Sequence, residues 1–539
     1  MQKISLSLGQ IVPNSQRMAG NQLTTITSIF VSFLLFYSCG QSTDTVSAKN
    51  GAGKFSYPYY QYEWHLKNNG QFGGTPGEDI NVEDVWASGN RGENVTVGIV
   101  DDGLEVAHPG LVKNISQTAS SYNYSKSTDD PTPSYSYDSH GTSVAGVIAA
   151  NDTSVGVKGV APNAEIVGFT LLSSFTDTHQ EDALTRDVDV SNNSWGNYDL
   201  GHFYEMDSTF SDTIWEGLNN NREGRGTIYV WAAGNGGERN ELSIYDPYDS
   251  HIGVISVASV DNNGKHLFYS EKGANLWISA PSGNLEDAQI TTTDLVGDDR
   301  GYNVAEAIGD YPNYNYTNSF LGTSASAPVV AGVAALILKA NPNLSWRDVK
   351  GVLARSARRN DPGDEEWQRN GAGIFVNPQY GFGVVDATSA TLLATNWAYF
   401  PTLVTESYPS AGVQTVNLPI IGSDNLVSST ITISNSSITH IEYVDVMVEI
   451  NYDNWGRLDI VLARDGENIS DQLASEHYCY SLSYMRRTCP VYSGLFTFGV
   501  ARHFMENPEG NWVIKVKAKG VSASTTGTFI NWGLKIYGH

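Results

Sequence analysis

The sequence predicts an α/β domain built on a parallel sheet, followed by an all-β sandwich. Short apolar runs at Val95–Val100, Ile166–Phe169, Val188–Asn193, Thr227–Ala233 and Val254–Val260 alternate with helical stretches. That rhythm is what a sheet with helical crossovers produces. Two of the helical stretches, Val144–Ala150 and Val329–Ala340, are apolar at helical spacing and predict core helices. After Trp397 the period changes to two. Val444, Val446, Val448 and Ile450 alternate with Asp445, Met447 and Glu449, and Trp512, Ile514 and Val516 alternate with Val513, Lys515 and Lys517. Trp532, Leu534 and Ile536 repeat the pattern, as half-buried antiparallel strands do. The expected division is a targeting segment at 1–39, a linker at 40–54, the α/β domain at 55–397 and the sandwich at 398–539.

Taken in order, the chain begins with Ile26–Tyr37, an apolar run too short to span a bilayer comfortably but suited to a signal-peptide core. It ends Leu35-Phe36-Tyr37-Ser38-Cys39-Gly40, which resembles a bacterial lipoprotein processing site; a plain signal peptide containing a cysteine is the other reading. Cysteine count bears on the choice. There are three, Cys39, Cys479 and Cys489, and an acylated Cys39 with a Cys479–Cys489 disulfide accounts for all of them in an oxidising compartment. Sequons at Asn94, Asn114, Asn123 and Asn468 also permit a eukaryotic secretory route.

The 539 residues, 40% hydrophobic and 17% charged, are enough for two or three globular domains. A formal charge of −26 argues against nucleic acid and suits a cationic partner, although a solvated acidic surface uses charge in the same way.

Chemistry concentrates at four places. Asp101-Asp102-Gly103 follows the first buried strand, where open α/β sheets place their sites. Asp138-Ser139-His140-Gly141-Thr142-Ser143 opens one core helix, and Gly322-Thr323-Ser324-Ala325-Ser326-Ala327-Pro328 leads into the other. Small neighbours leave the Ser324 hydroxyl reachable, and a helix N-terminus stabilises negative charge beside it. Pro328 is expected within the first helical turn, where a missing N–H costs little. The fourth place is Trp231-Ala232-Ala233-Gly234-Asn235-Gly236-Gly237.

Asp101, His140 and Ser324 occur in the chain order of subtilisin. DDG, HGTSVAG, GTSASAP and the Asn235 segment together resemble the subtilisin-like serine proteases, and no accidental sequence would hold all four in order. The resemblance implies Ser324 as nucleophile, His140 as base, Asp101 as its orienting acid and Asn235 as oxyanion donor. Ser194-Trp195-Gly196, Tyr269-Ser270-Glu271, Leu344–Val349 and Tyr380–Ala387 look like the kexin and furin convertases in particular. Gly456–Leu462, Gly510-Asn511-Trp512 and Asn531–Gly538 resemble their P domain, which supports the catalytic domain.

That likeness implies cleavage of polypeptides after basic residues. Asp199 and Asp246 match the pocket for the basic side chain before the scissile bond, Tyr248 a position farther along the cleft, and Asp102 an acid facing the preceding residue. Glu205 or Asp207 matches a further subsite acid, while Phe175 stands where furin-like enzymes carry glutamate. Asp199, Glu241 and Glu271 match a Ca²⁺ site behind the pocket, three hard oxygen donors suited to that ion. A second family calcium site is left open, since Gly110 and Tyr57 replace two of its acids and the loop 151–157 is one residue shorter than furin's. Between Cys39 and Phe55 there is no room for the family's folding prodomain, so folding is expected unaided or with a helper in trans. The expected protein is a monomer that meets membranes only through a lipid anchor. A broad-specificity degradative subtilase is the competing enzyme; a surface-anchored binding protein on a protease fold is the competing non-enzyme.

Overall fold

Seven parallel strands carry the first domain: β1 (Thr96–Asp101), β2 (Tyr122–Asn123), β3 (Glu165–Thr170), β4 (Val190–Asn193), β5 (Ile228–Ala232), β6 (Val254–Val260) and β7 (Ile278–Pro281). The computed structural model describes residues 57–539 except 155, 286, 423–424, 467–468, 484, 490–493 and 521–525. The targeting segment with Cys39, the linker, Phe55 and the Asn468 sequon therefore lie outside the described residues. The strands are ordered β2-β3-β1-β4-β5-β6-β7. Lateral order reverses at β1, which pairs with β3 on one side and β4 on the other. Ligands of open α/β sheets bind in the crevice that such a reversal opens at the carboxyl ends. Residues of β4 to β7 are buried throughout, as in a parallel sheet covered on both faces.

Among the described residues seven α-helices complete the domain: α1 (Glu83–Ala87), α2 (His140–Ala149), α3 (Asp177–Thr185), α4 (Ser208–Gly224), α5 (Thr323–Ala340), α6 (Trp346–Ser356) and α7 (Ala387–Thr395). α5 is buried from Thr323 to Leu338, the central helix against the sheet. Both core helices begin earlier than their apolar stripes suggest. α2 starts at His140 itself and α5 at Thr323, because Gly, Thr and Ser extend each helix beyond its apolar residues. Pro328 is consequently the sixth residue of α5, not part of its first turn. The carbonyl its missing N–H leaves bare is that of Ser324, and Ser194 Oγ donates to it at 3.1 Å.

Two antiparallel sheets follow. One runs 404–408, 526–538, 441–451, 495–500, with 414–421 also on 526–538; the other runs 427–433, 510–518, 458–464, 470–474. Trp455, Trp512 and Trp532 are fully buried between them. Their shared core extends into the first domain, taking in Leu242, Ile244 and Tyr245. Phe203 lies edge-on to Trp455 and Phe496 at 5.1 and 5.4 Å. The Cys479–Cys489 disulfide closes a hairpin against the same region: Tyr480 N–H donates to Leu200 O at 2.8 Å. Closing a loop of that size stabilises by ~2–3 kcal/mol. The domains are further joined by buried charge. Arg347 grips Glu442 with two guanidinium nitrogens, and His539 Nδ1 bonds the same carboxylate at 2.8 Å. Glu506 accepts from Gly371 N–H and from His503, whose pKa is pushed up to about 9 against the opposing effect of burial by Asp471 and Glu506.

Candidate active site

The four motif residues lie at or just beyond strand ends and helix starts. Asp101 is the last residue of β1, His140 the first of α2, Ser324 the second of α5, and Asn235 follows β5. The His140 ring places Nδ1 at 2.9 and 3.0 Å from the two oxygens of Asp101, which is fully buried. A carboxylate there requires a proton on Nδ1, so Nε2 is the acceptor. Nε2 is buried and has no hydrogen-bond partner among the described residues. Burial works against a charged imidazole. The charge and hydrogen bond of Asp101, with Asp102 behind it, nevertheless raise His140 above the ordinary histidine value.

Ser324 is 2% exposed, and its Oγ donates to Ser194 O at 3.2 Å. With Ser194 Oγ returning a bond to Ser324 O, two serines from α5 and the end of β4 hold one another. Asn235 is oriented just as firmly. Its Oδ1 accepts from Thr323 N–H at 2.9 Å and from Thr323 Oγ1 at 3.2 Å, so its NH₂ faces away from Thr323. Gly322 makes this approach possible, with φ +86° and the place of a Cβ only 3.3 Å from Asn235 Oδ1.

The cleft beside Ser324 is walled by Ser194–Tyr198 and Ala232–Asn235 and floored by acids: Asp199, Glu241, Asp246, Asp249 and Glu271. Asp246 Oδ2 accepts from Asn197 N–H at 2.8 Å and Oδ1 from Tyr248 N–H at 2.9 Å. Asp199 and Asp246, 47 positions apart in the sequence, thus meet across one cavity. Burial, together with the Asp246 charge, lifts the Asp199 pKa to about 7 despite the Asn235 N–H and Arg239 nearby. Glu241 and Glu271 are 5% and 4% exposed. Burial and mutual repulsion with Asp199 drive both well above the carboxylate range. A Cβ at Gly236 would collide with Glu241 Oε2 and come within 2.9 Å of Glu271 Oε1, so the two carboxylates converge on one spot. Glu241 Oε2 has no hydrogen-bond partner there. Two converging carboxylates with an orphaned oxygen, and Asp199 lining the same cavity, are hard donors of the kind a divalent cation takes.

Other expected residues sit differently. Asp102 is half-buried, and its two oxygens accept from the N–H groups of His140 and Gly141 at 3.1 and 2.8 Å, capping α2. Tyr248 is a correction. Only 1% exposed, it stacks on Trp231 at 5.1 Å and meets Phe210 at 4.7 Å, supporting the pocket from behind instead of lining the cleft. Glu205 is exposed outside the cavity, and Asp207 is spent capping α4 through Thr209 N–H at 2.9 Å. Phe175 packs edge-on to Trp195 at 5.7 Å. Where the second calcium site would lie, Gly110 N–H donates to His108 Nδ1 and Tyr57 Oη to Asn151 Oδ1, neutral contacts in place of acids. Sequence reading passed over Thr323, which fixes Asn235, and the reciprocal role of Ser194; both lie inside motifs that were noticed.

A fold with this crevice, a histidine bonded to a buried aspartate at one helix start and a serine at the head of α5, is the arrangement of a subtilisin-type serine peptidase. The chain belongs to the Subtilase family, whose model matches residues 92–383. It is 31% identical over 502 residues to neuroendocrine convertase 2 of Bos taurus, covering 89% of this chain and 74% of the relative. It is 30% identical to endoprotease bli-4 of Caenorhabditis elegans, covering 90% of this chain and 50% of that one. The crystal structure of the Aeromonas sobria serine protease in complex with its chaperone ORF2 superposes with a TM-score of 0.80 at 27% identity, covering 90% and 95% of the two chains. The protein is a subtilisin-like serine endopeptidase with kexin/furin-type relatives.

Proposed function

We propose that the chain is an exported, kexin-like endopeptidase that cuts polypeptides after basic residues, arginine ahead of lysine. The observation that carries this reading is the acidic cavity beside Ser324, where Asp199 and Asp246 converge. In this reading Ser324 Oγ leaves Ser194 O, gives its proton to His140 Nε2 and attacks the scissile carbonyl. Asp101 holds the imidazole and stabilises its charged form. The NH₂ of Asn235 and the Ser324 N–H take the oxyanion, a donor of this kind being worth about 2.7–4 kcal/mol in subtilisin. A random peptide library digested by the full chain and read by mass spectrometry tests the specificity: cuts should fall after Arg, then Lys. Cuts distributed over Leu, Phe and Ala would sink the reading.

Asp199, Glu241 and Glu271 would hold Ca²⁺, whose charge relieves their repulsion and fixes the pocket wall. The sign of the pH effect follows from their raised pKa values. Without a cation these groups keep their protons in the fold at pH values where the unfolded chain has lost them. Their contribution is therefore present below about pH 4 and lost as pH rises through the raised values, about 7 for Asp199 and well above the carboxylate range for the two glutamates. EDTA-treated protein is expected to melt lower at pH 8 than at pH 5, and added Ca²⁺ to raise the melting temperature mainly at pH 8. A calcium shift equal at both values would count against the site.

The Aeromonas protease was solved with a chaperone, which supports a folding helper in trans for this chain as well. Export rests on the signal-like segment and on the disulfide, since cytosolic thiols stay reduced. An acylated Cys39 is the proposed anchor.

A further inference from the structure

Asp246 is not the last acid in its turn. Asp249 N–H bonds to Asp246 O at 3.3 Å, and that turn brings both carboxylates to the same cavity. Asp199 and Asp246 are half-buried, whereas Asp249 is 3% exposed and so lies deepest of the three. Asp249 Oδ1 is buried without a hydrogen-bond partner among the described residues. A buried acceptor left bare is costly and calls for an occupant that supplies a donor.

We propose that Asp249 is the floor of the basic-residue pocket, where it takes the distal nitrogens of an arginine guanidinium and makes the pocket prefer arginine to lysine. This inference rests on the basic-specificity reading above. Two alternatives explain less. Asp249 also serves the fold, its backbone carbonyl accepting from Asn275 Nδ2 at 3.1 Å and its carboxylate lying beside the Ser256 hydroxyl, but its Oδ1 keeps no hydrogen-bond partner among the described residues. It could belong to the Glu241/Glu271 cation set. Yet among the charges acting on it Asp246 is the strongest, followed by Asp199, while Glu271 feels Glu241 and Asp199 before Asp249.

Asp246 already accepts two backbone N–H groups and the Asn197 side chain, so its remaining capacity is small. Guanidinium carries five donors in a rigid plane and can serve a wall and a floor together; an ammonium is a single compact point on a shorter reach. Burial and the charge of Asp246 keep the Asp249 carboxyl well above the carboxylate range in the empty pocket. An arriving cation removes that penalty.

The test uses the full chain with peptides differing only in the residue before the cut: Arg, Lys or Leu. Asp249→Asn, isosteric, is expected to lower kcat/KM for Arg by at least ~10-fold while Lys changes less than ~2-fold. Equal loss for Arg and Lys, or no loss, overturns the proposal and leaves basic specificity standing. Wild-type protein that cuts as well after Leu overturns both. Should Asp249→Asn not fold, wild type decides: norarginine, one methylene shorter than arginine, is expected to fall at least ~10-fold below it. Parity between them rejects the floor contact.

Discussion

Ser324→Ala is expected to lower kcat by about 10⁶-fold, the scale known for subtilisin itself, while the protein folds and melts near wild type. The two halves of this expectation have separate causes. Rate is lost because no other group in the cleft can form the acyl intermediate once Oγ is gone. What rate remains comes from the oxyanion donors and from binding, which outlast the nucleophile. Stability is kept because alanine is the best helix former and Ser324 stands in the first turn of α5 among Thr323, Ala325 and Ala327. The one bond lost is the 3.2 Å contact to Ser194 O, about 1 kcal/mol. Ser194 Oγ still serves the backbone carbonyl of residue 324. Steady-state turnover beside a thermal melt reads both halves, and near-normal turnover would remove Ser324 from the mechanism.

The second large effect concerns Asp246. Wild-type enzyme is expected to favour Arg over an apolar residue by at least ~10³-fold, since an apolar side chain would leave buried carboxylates unpaired. Asp246→Asn should erase most of that ratio, lowering kcat/KM for Arg far more than for Leu. Some general loss will accompany it. Both Asp246 oxygens accept N–H donors, from Asn197 on one and from Tyr248 and the Asn197 amide on the other. Either orientation of an asparagine sets its NH₂ against a donor, costing about 1–3 kcal/mol. The ratio between substrates is therefore the informative quantity. Were Arg and Leu to fall together, Asp246 would be holding the loop and not reading the substrate.

Local information sufficed for much of this protein. Apolar runs alternating with helical stretches marked the parallel sheet, and the change of period after Trp397 marked the antiparallel one, because burial on two faces or one is written directly into residue spacing. His140, Ser324 and Asn235 are legible because each is bounded by small residues, and Asp101 because it closes the first buried strand just before Gly103. Cys479 and Cys489 followed from a count of three.

What spacing could not convey was convergence. Whether Tyr248 lines a cleft or supports it depends on Trp231 and Phe210 arriving from other elements to cover its ring. That both oxygens of Asp102 accept N–H groups at the start of α2 is likewise absent from its sequence context. The apolar stripe alone places Pro328 in the first helical turn; only the fold shows that it bares the Ser324 carbonyl and that Ser194 covers it. Sequence by itself determined which groups carry the chemistry, since identity and order are covalent. Tertiary structure alone decided which acids share a cavity and that the C-terminal core buries the Leu242–Tyr245 segment behind them. Charges far apart in the chain acquire their pKa values and their partners only when packing brings them together out of water.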